Sequence, residues 1–339
     1  MAIDCCEWLA RIAEASARIY EIVQRTPIEM IEDSRRFNSV KAFLKLEHLQ
    51  RTGSFKLRGA PNRVFSLSAQ EAAGGVVTSS TGNHALGVST AARHRGIDVE
   101  VFVSAQVSGK KLRAITDCGA RIRPVGNNSL EAELTARAAA KASGRTYISP
   151  YNDPFVIAGQ GTIGMELLQQ VEAIDAIYAA VGGGGLIGGI GAYVKSVSPA
   201  TEIVGCWPEN SRVMYECLRA GEVIEVSEQP TLSESTAGGV EPGSITFELC
   251  QRVIDRYVLV SESDILQAMR WARQQGWRVE GAAGVAIAAA FKDAPRQKGK
   301  SVTIISCGGN LSEAALSRLM SPIGEGVDFV PDPVQDTHR

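Results

Sequence analysis

A chain of 339 residues is long enough for two domains of ordinary size, each with its own core. Its hydrophobic fraction of 45%, charged fraction of 21% and formal charge of -2 are those of a globular protein, and they leave no electrostatic footprint for nucleic acid. No apolar run reaches the ~18 residues of a membrane helix, and the nearest stretch, from Val181 to Tyr193, is seven-thirteenths glycine.

In chain order, the first twenty residues carry early acids and no long apolar core, so they do not read as a signal peptide. Trp8, Ile12, Ala15 and Ile19 fall at helical spacing and predict an amphipathic helix. Short β-branched runs then alternate with Ala-rich amphipathic stretches. Strands are predicted at Ala42–Leu46, Gly75–Thr78, Val99–Val103, Arg121–Val125, Ala176–Ala180, Glu202–Cys206, Arg256–Val260 and Val302–Ser306. Between them helices are predicted at Ala85–His94, Gly109–Cys118, Ser129–Ser143, Gly161–Val171, Gly185–Val197, Glu262–Gly276 and Ala283–Lys292. This rhythm is that of an α/β protein with mainly parallel sheets flanked by helices, which place ligands at the carboxyl ends of strands. The last stretch, Ser321 to Arg339, has three prolines and weak periodicity and is expected to be mobile or to lie over the surface.

Seven cysteines, with neither CxxC nor CxxxH spacing, argue against a disulfide framework or a zinc site and fit a reducing cytoplasm. Four scattered histidines give no metal centre.

Three polar or Gly-rich loops follow predicted strands: Thr78 to His84, Val181 to Leu186 and Ser306 to Asn310. One ligand site fed by all three is the natural expectation. Gly182, Gly183, Gly184 and Gly185 let backbone N–H groups crowd around an anion, with the N-terminus of the following helix behind them, and phosphate is the usual guest. A tight strand–helix crossing would also favour small residues here. Gly183, Gly185 and Gly188 fit GxGxxG, but a dinucleotide site wants an acid at the end of the next strand; Cys206-Trp207-Pro208 stands there, with Glu209 only beyond it. Lys56, beside Phe55 and small residues, can lose solvation and its proton and become a nucleophile, although most lysines at a helix start are solvated charges.

Together SFKLRGA, SSTGNHA, IAGQGTIGMEL, VGGGGLIGG and SCGGN resemble, in order and spacing, the fold-type-II pyridoxal-phosphate enzymes of the threonine/serine dehydratase and serine racemase group. The match runs from about Thr26 to Asn310. The resemblance implies a two-domain, tryptophan synthase β-like fold. The large domain would be residues 1–65 plus 149–320, and the small mobile domain 66–148. It implies pyridoxal phosphate as cofactor, a homodimer, and elimination of water and ammonia from a small 3-hydroxy amino acid. Lys56 would carry the cofactor and shuttle the α-proton, and Phe55 would pack on the ring. Asn83 would hydrogen-bond the ring 3′-oxygen. Gly182 to Gly185 and the Leu186 amide would hold the phosphate. Ser80, Thr81, Asn83 and His84 lie on the loop that would grip the substrate carboxylate; His84 can equally be a packing residue. Cys307, or Ser306 one residue away, would face the pyridine nitrogen as a neutral partner, which suits direct loss of a leaving group.

Departures from the family pattern carry further expectations. Thr81 replaces the serine that serves racemases as second acid/base, and Trp207 stands where cation-binding relatives have glutamate, so no metal is expected. The chain stops soon after SCGGN, which leaves no room for a regulatory domain. The segment from Ser235 to Gly243 is similar to that of the dehydratase of hydroxyectoine breakdown, and its Glu241 favours a substrate with an extra positive group, unless it is a solvated loop acid. Two alternatives stay open: a serine-type racemase, and a non-enzymatic binder of a phosphate ligand.

Overall fold

The structure, a computed structural model, describes residues 5–105, 109–127 and 129–320. The tail from Ser321 onward lies outside them. The elements are α1 (Cys5–Ile19), β1 (Ile28–Met30), β2 (Lys41–Lys45), α2 (Lys56–Phe65), α3 (Ala69–Gly74), β3 (Val76–Ser79), α4 (Asn83–His94), β4 (Val99–Val103), α5 (Gly109–Asp117), β5 (Arg121–Pro124), α6 (Ser129–Ser143) and β6 (Thr146–Tyr147). They continue with α7 (Pro154–Gln170), β7 (Ala176–Ala180), α8 (Gly185–Val197), β8 (Glu202–Pro208), α9 (Val213–Ala220), α10 (Ile245–Val253), β9 (Arg256–Val260), α11 (Glu262–Gln274), α12 (Gly281–Asp293), β10 (Ser301–Ile305) and α13 (Glu313–Met320). The fold is α/β, as the alternation of patterns implied. Every strand expected from the sequence is present, its ends moved by at most two residues.

Two sheets form. The larger runs β1-β2-β10-β7-β8-β9, with β1 antiparallel to β2 and every other pair parallel. The smaller runs β5-β4-β3-β6 and is wholly parallel. Central strands of a parallel sheet are covered on both faces and so are apolar throughout. Accordingly β7 (AIYAA) and β10 (SVTII) are buried at every position. The edge strand β5 (RIRP) is exposed, charged and proline-ended, which blunts it against pairing with another chain.

The amphipathic α1 buries Trp8, Ile12, Ala15 and Ile19, the residues its spacing picked out. α2 starts at Lys56, as the reading of that lysine at a helix start implied, and it carries Gly59 and Pro61 within it. Both helices of the α2–α7 crossing need glycine at their contact. A Cβ on Gly59 would sit 2.6 Å from the Val156 carbonyl, and one on Gly159 would sit 2.5 Å from the Arg58 carbonyl. α7 begins at Pro154, under an Asp153 N-cap that accepts from Phe155 and Val156, rather than at the predicted Gly161. Among the described residues no helix is long and apolar enough to cross a membrane.

Candidate active site

Lys56 is the first residue of α2. The chain leading to it is laced to the loop after β10: Ser54 bridges Gly308, the Phe55 N–H donates to the Cys307 carbonyl (2.9 Å) and the Gly309 N–H donates to the Gly53 carbonyl (2.9 Å). The Lys56 amine donates to the Pro150 carbonyl at 2.7 Å and lies 5.0 Å from the centre of the Phe55 ring. The surrounding protein strips its solvation and pulls it down to about 8, against opposing pulls from Cys307 and Glu280. Cys307 opposes it only as a thiolate. Its own burial raises it well above the ordinary thiol value, and burial raises the Glu280 carboxyl too, against hydrogen bonds from Asn83 and Ser235 that favour its ionised form.

The glycine loop joins β7 to α8. Each of its glycines faces something a side chain would strike. A Cβ on Gly182 would meet the Thr236 backbone at 2.9 Å, and one on Gly183 would enter the Tyr151 ring at 2.5 Å. Gly184, at φ +83°, holds the left-handed conformation that caps α8, and a Cβ there would meet Cys250 Sγ at 2.7 Å. The first-turn N–H groups of α8, Leu186 among them, have no acceptor within their own helix. The loop therefore serves the tight crossing and offers an anion cradle at once.

The loop after β3 brings Ser80, Thr81, Asn83 and His84 to the same place. The Gly82 N–H donates to Ser80 Oγ (3.2 Å), and Thr81 is half-buried. His84 is buried, its Nε2 lies 3.1 Å from the Ile148 carbonyl, and burial together with the Lys56 charge pushes it down to about 3. It is a neutral ring with Nε2 protonated and Nδ1 bare. It offers a substrate carboxylate no positive charge. Asn83 donates from Nδ2 to both carboxylate oxygens of Glu280 (3.0 Å each), and its Oδ1 accepts from Asn310 Nδ2 (2.7 Å).

Cys307 is buried beside Lys56, whereas Ser306 Oγ is engaged elsewhere, 2.7 Å from His48 Nδ1. Sequence reasoning missed Glu280, Tyr151 and Ser235 as site residues. Ser235 was noticed only as part of a divergent loop, and Glu280 and Tyr151 belong to no quoted motif. Glu241, expected to face a cationic substrate group, is paired within the chain: its Oε2 lies 2.7 Å from Arg137 Nη2 of α6, and its backbone N–H donates to the Tyr151 hydroxyl (3.0 Å). Its other oxygen, Oε1, is buried and lacks a partner. Trp207 fills its place with an edge-on cluster of Tyr215 and Tyr257, at ring-centre distances of 5.8 and 5.6 Å. Among the described residues no group of three His, Cys, Asp or Glu side chains is arranged to hold a metal.

These features fit a phosphorylated aldehyde. A desolvated amine stands across from an anion cradle, and two buried polar atoms beside it, Ser54 Oγ and His84 Nδ1, have no partner. The comparisons with known proteins agree. A family model described as pyridoxal-phosphate dependent enzyme matches residues 19–308. An L-threonine ammonia-lyase of Thermotoga maritima is 36% identical over 314 residues, covering 92% of this chain and 78% of that protein. The structure of the processed form of threonine deaminase isoform 2 from Solanum lycopersicum superposes with a TM-score of 0.88 at 33% identity, covering 93% of this chain and 88% of that one. Maize serine racemase does so with a TM-score of 0.86 at 30% identity, covering 94% and 97%. A desolvated lysine facing a tetraglycine cradle on this fold, with a family match over most of its length, has one reading: the chain belongs to the pyridoxal-phosphate-dependent enzymes and is a lyase similar to threonine dehydratases.

Proposed function

We propose that the protein removes water and then ammonia from a small 3-hydroxy amino acid of the threonine or serine kind, giving a 2-oxo acid. The observation that carries this reading is the desolvated Lys56 amine on the Pro150 carbonyl, next to the Tyr151 that packs on Gly183 and Gly185 of the cradle, with a buried neutral Cys307 near the amine. Bound pyridoxal phosphate supplies an electron sink for charge developing at the substrate α-carbon. Lys56 holds the cofactor and, once freed, takes the α-proton on Nζ. Phe55 packs against the ring. The N–H groups of Gly182 to Gly185 and of Leu186 would hold the phosphate, and Asn83 would donate to the ring oxygen. The hydroxyls of Ser80 and Thr81 orient the substrate carboxylate. The β-hydroxyl would leave as water, the proton it gains balancing the one Lys56 Nζ removes from the α-carbon, and the released enamine takes up water to give 2-oxo acid and ammonia.

Cys307 favours elimination over racemisation. A buried thiol held well above its usual value stays neutral and would give the pyridine nitrogen no counter-charge, which suits prompt loss of a β-substituent over reactions that need charge held at the α-carbon. Thr81, whose β-methyl restricts its hydroxyl, supports the same choice. The protein is assigned to the cytoplasm and to a homodimer, with residues 66–148 as a small domain over the cleft; the separate four-stranded sheet of β3 to β6 supports that division.

A second reading, a substrate with a further ammonium group such as a 3-hydroxy-2,4-diaminobutyrate, is favoured by one observation: Glu241 Oε1 is buried without a partner. Arg137 weighs against it, since it already neutralises that carboxylate. The test is 2-oxo acid release by the holoenzyme from L-threonine, L-serine, 3-hydroxyaspartate and the diamino compound, with wild type and Glu241→Gln. We expect release from threonine or serine, unchanged in preference by Glu241→Gln. Release from the diamino compound alone, lost in Glu241→Gln, transfers the assignment to the second reading. Exchange of the α-proton with inversion and no release rejects both.

A further inference from the structure

Glu280 is a buried acid in the cofactor cleft for which the reaction above has no use. It is the residue before α12, and its own N–H donates to the Gly308 carbonyl (2.9 Å). Its side chain is held from three directions. Asn83 Nδ2 reaches both carboxylate oxygens at 3.0 Å, the Ser235 hydroxyl donates to Oε1 at 2.8 Å, and the Asn310 backbone N–H donates as well. Gly308 leaves room for the carboxyl group, because a Cβ there would stand 2.8 Å from its carbon. Of the three donors only Ser235 can turn to accept, so the cage is built for an ionised carboxylate.

The cage also fixes Asn83. Asn310 Nδ2 donates to Asn83 Oδ1 at 2.7 Å and to the Thr52 carbonyl at 2.8 Å, which sets the amide the right way round. Equal distances to the two Glu280 oxygens fit one N–H shared between them, and the second Asn83 N–H is left over for another acceptor.

We propose that Glu280 is a positioning residue for the cofactor: it holds the Asn83 amide so that its free N–H meets the ring oxygen, and it places one buried negative charge beside the Lys56 linkage. Burial leaves the Glu280 carboxyl above the ordinary carboxylate value, and the hydrogen bonds from Asn83, Ser235 and the Asn310 backbone oppose that rise by favouring its ionised form. Its charge in turn opposes the fall of Lys56. The same carboxylate ties the start of α4 to the Ser235 loop and to the loop after β10, so the oxygen edge of the ring and the substrate loop share one anchor.

The inference rests on the assignment of Lys56 and Asn83 above. Failure of that assignment is seen separately, as a cofactor absorption band that survives Lys56→Ala unaltered. The test is the pH at which the visible band of the bound cofactor shifts, measured on the holoenzyme without substrate. Glu280→Gln keeps the size and an acceptor oxygen for Asn83 but removes the charge. It should lower that pH by about one unit and weaken cofactor affinity about tenfold. Ser235→Ala removes one hydrogen bond and keeps the charge, and should leave the band within about 0.3 units. A Glu280→Gln protein with a normal band and normal affinity, altered only in melting temperature, overturns the proposal. So does a Ser235→Ala shift as large as that of Glu280→Gln. If Glu280→Gln does not fold, Glu280→Asp keeps the charge but falls short of Asn83; tenfold weaker affinity is then expected, and normal affinity refutes the role.

Discussion

The reactivity of Lys56 comes from what surrounds one nitrogen. Its amine is removed from water, accepted by a single carbonyl, and drawn down to about 8. At pH 7.5 roughly a quarter of such amines are neutral, against about one in a thousand for an ordinary lysine. Because the neutral amine is the nucleophile, the rate at which the cofactor-free protein captures pyridoxal phosphate should climb with pH and level off above about 8. Stopped-flow absorbance across pH 6.5–10 reads this directly, and a rate still climbing towards pH 10 would show an ordinary solvated lysine. The sequence named Lys56 from its neighbours alone. It did not disclose that Glu241 meets Arg137, because α6 and the 235–243 loop are a hundred residues apart in the chain and no spacing rule joins them.

At the level of elements, α2 is set in place by a buried cluster of four charges. Arg58 reaches Glu47 (2.7 Å) and Glu166 (2.7 Å), and Lys45 donates to Glu166, which also accepts from the Tyr20 hydroxyl (2.6 Å). Two positive and two negative groups balance, and the cluster joins β2, α2 and α7, with Arg58 two residues after Lys56. Burial pushes the Glu166 carboxyl up, but Arg58 and Lys45 outweigh it and hold it below the ordinary value. Its contribution to stability is therefore present above the unfolded-state value and is lost as pH falls through the lower native one. Glu166→Ala leaves Arg58 and Lys45 short of a partner and should destabilise the fold by about 3–5 kcal/mol, read as a fall in urea midpoint; a loss under 1 kcal/mol would mean the cluster is solvated. None of this was legible beforehand. SFKLRGA displayed its lysine and its arginine alike, and nothing in the string says that one serves the ligand and the other the scaffold. Gly59, Gly159 and Gly161 carry no signal of contact in the string, whereas in the structure they are where helices touch.

For the whole molecule, periodicity carried most of the architecture. The β-branched runs marked strands of both sheets, and the loops after β3 and β10 meet through Asn83 and Asn310 although they come from different sheets. What escaped were the short pieces, β1 and β6, whose pairing depends on neighbours rather than on pattern, and the residues that enter the cleft from elements without a motif, Tyr151 and Glu280. Sequence strings mark the groups that touch the ligand; the groups that hold those groups emerge only once distant segments are brought together.

The central claim, that Lys56 carries the cofactor, is tested most directly by reducing the holoenzyme with borohydride and mapping the peptides by mass. The phosphopyridoxyl mass should appear on Lys56 and on no other lysine. A label on a different lysine, or a reduced protein whose label washes away, would contradict it.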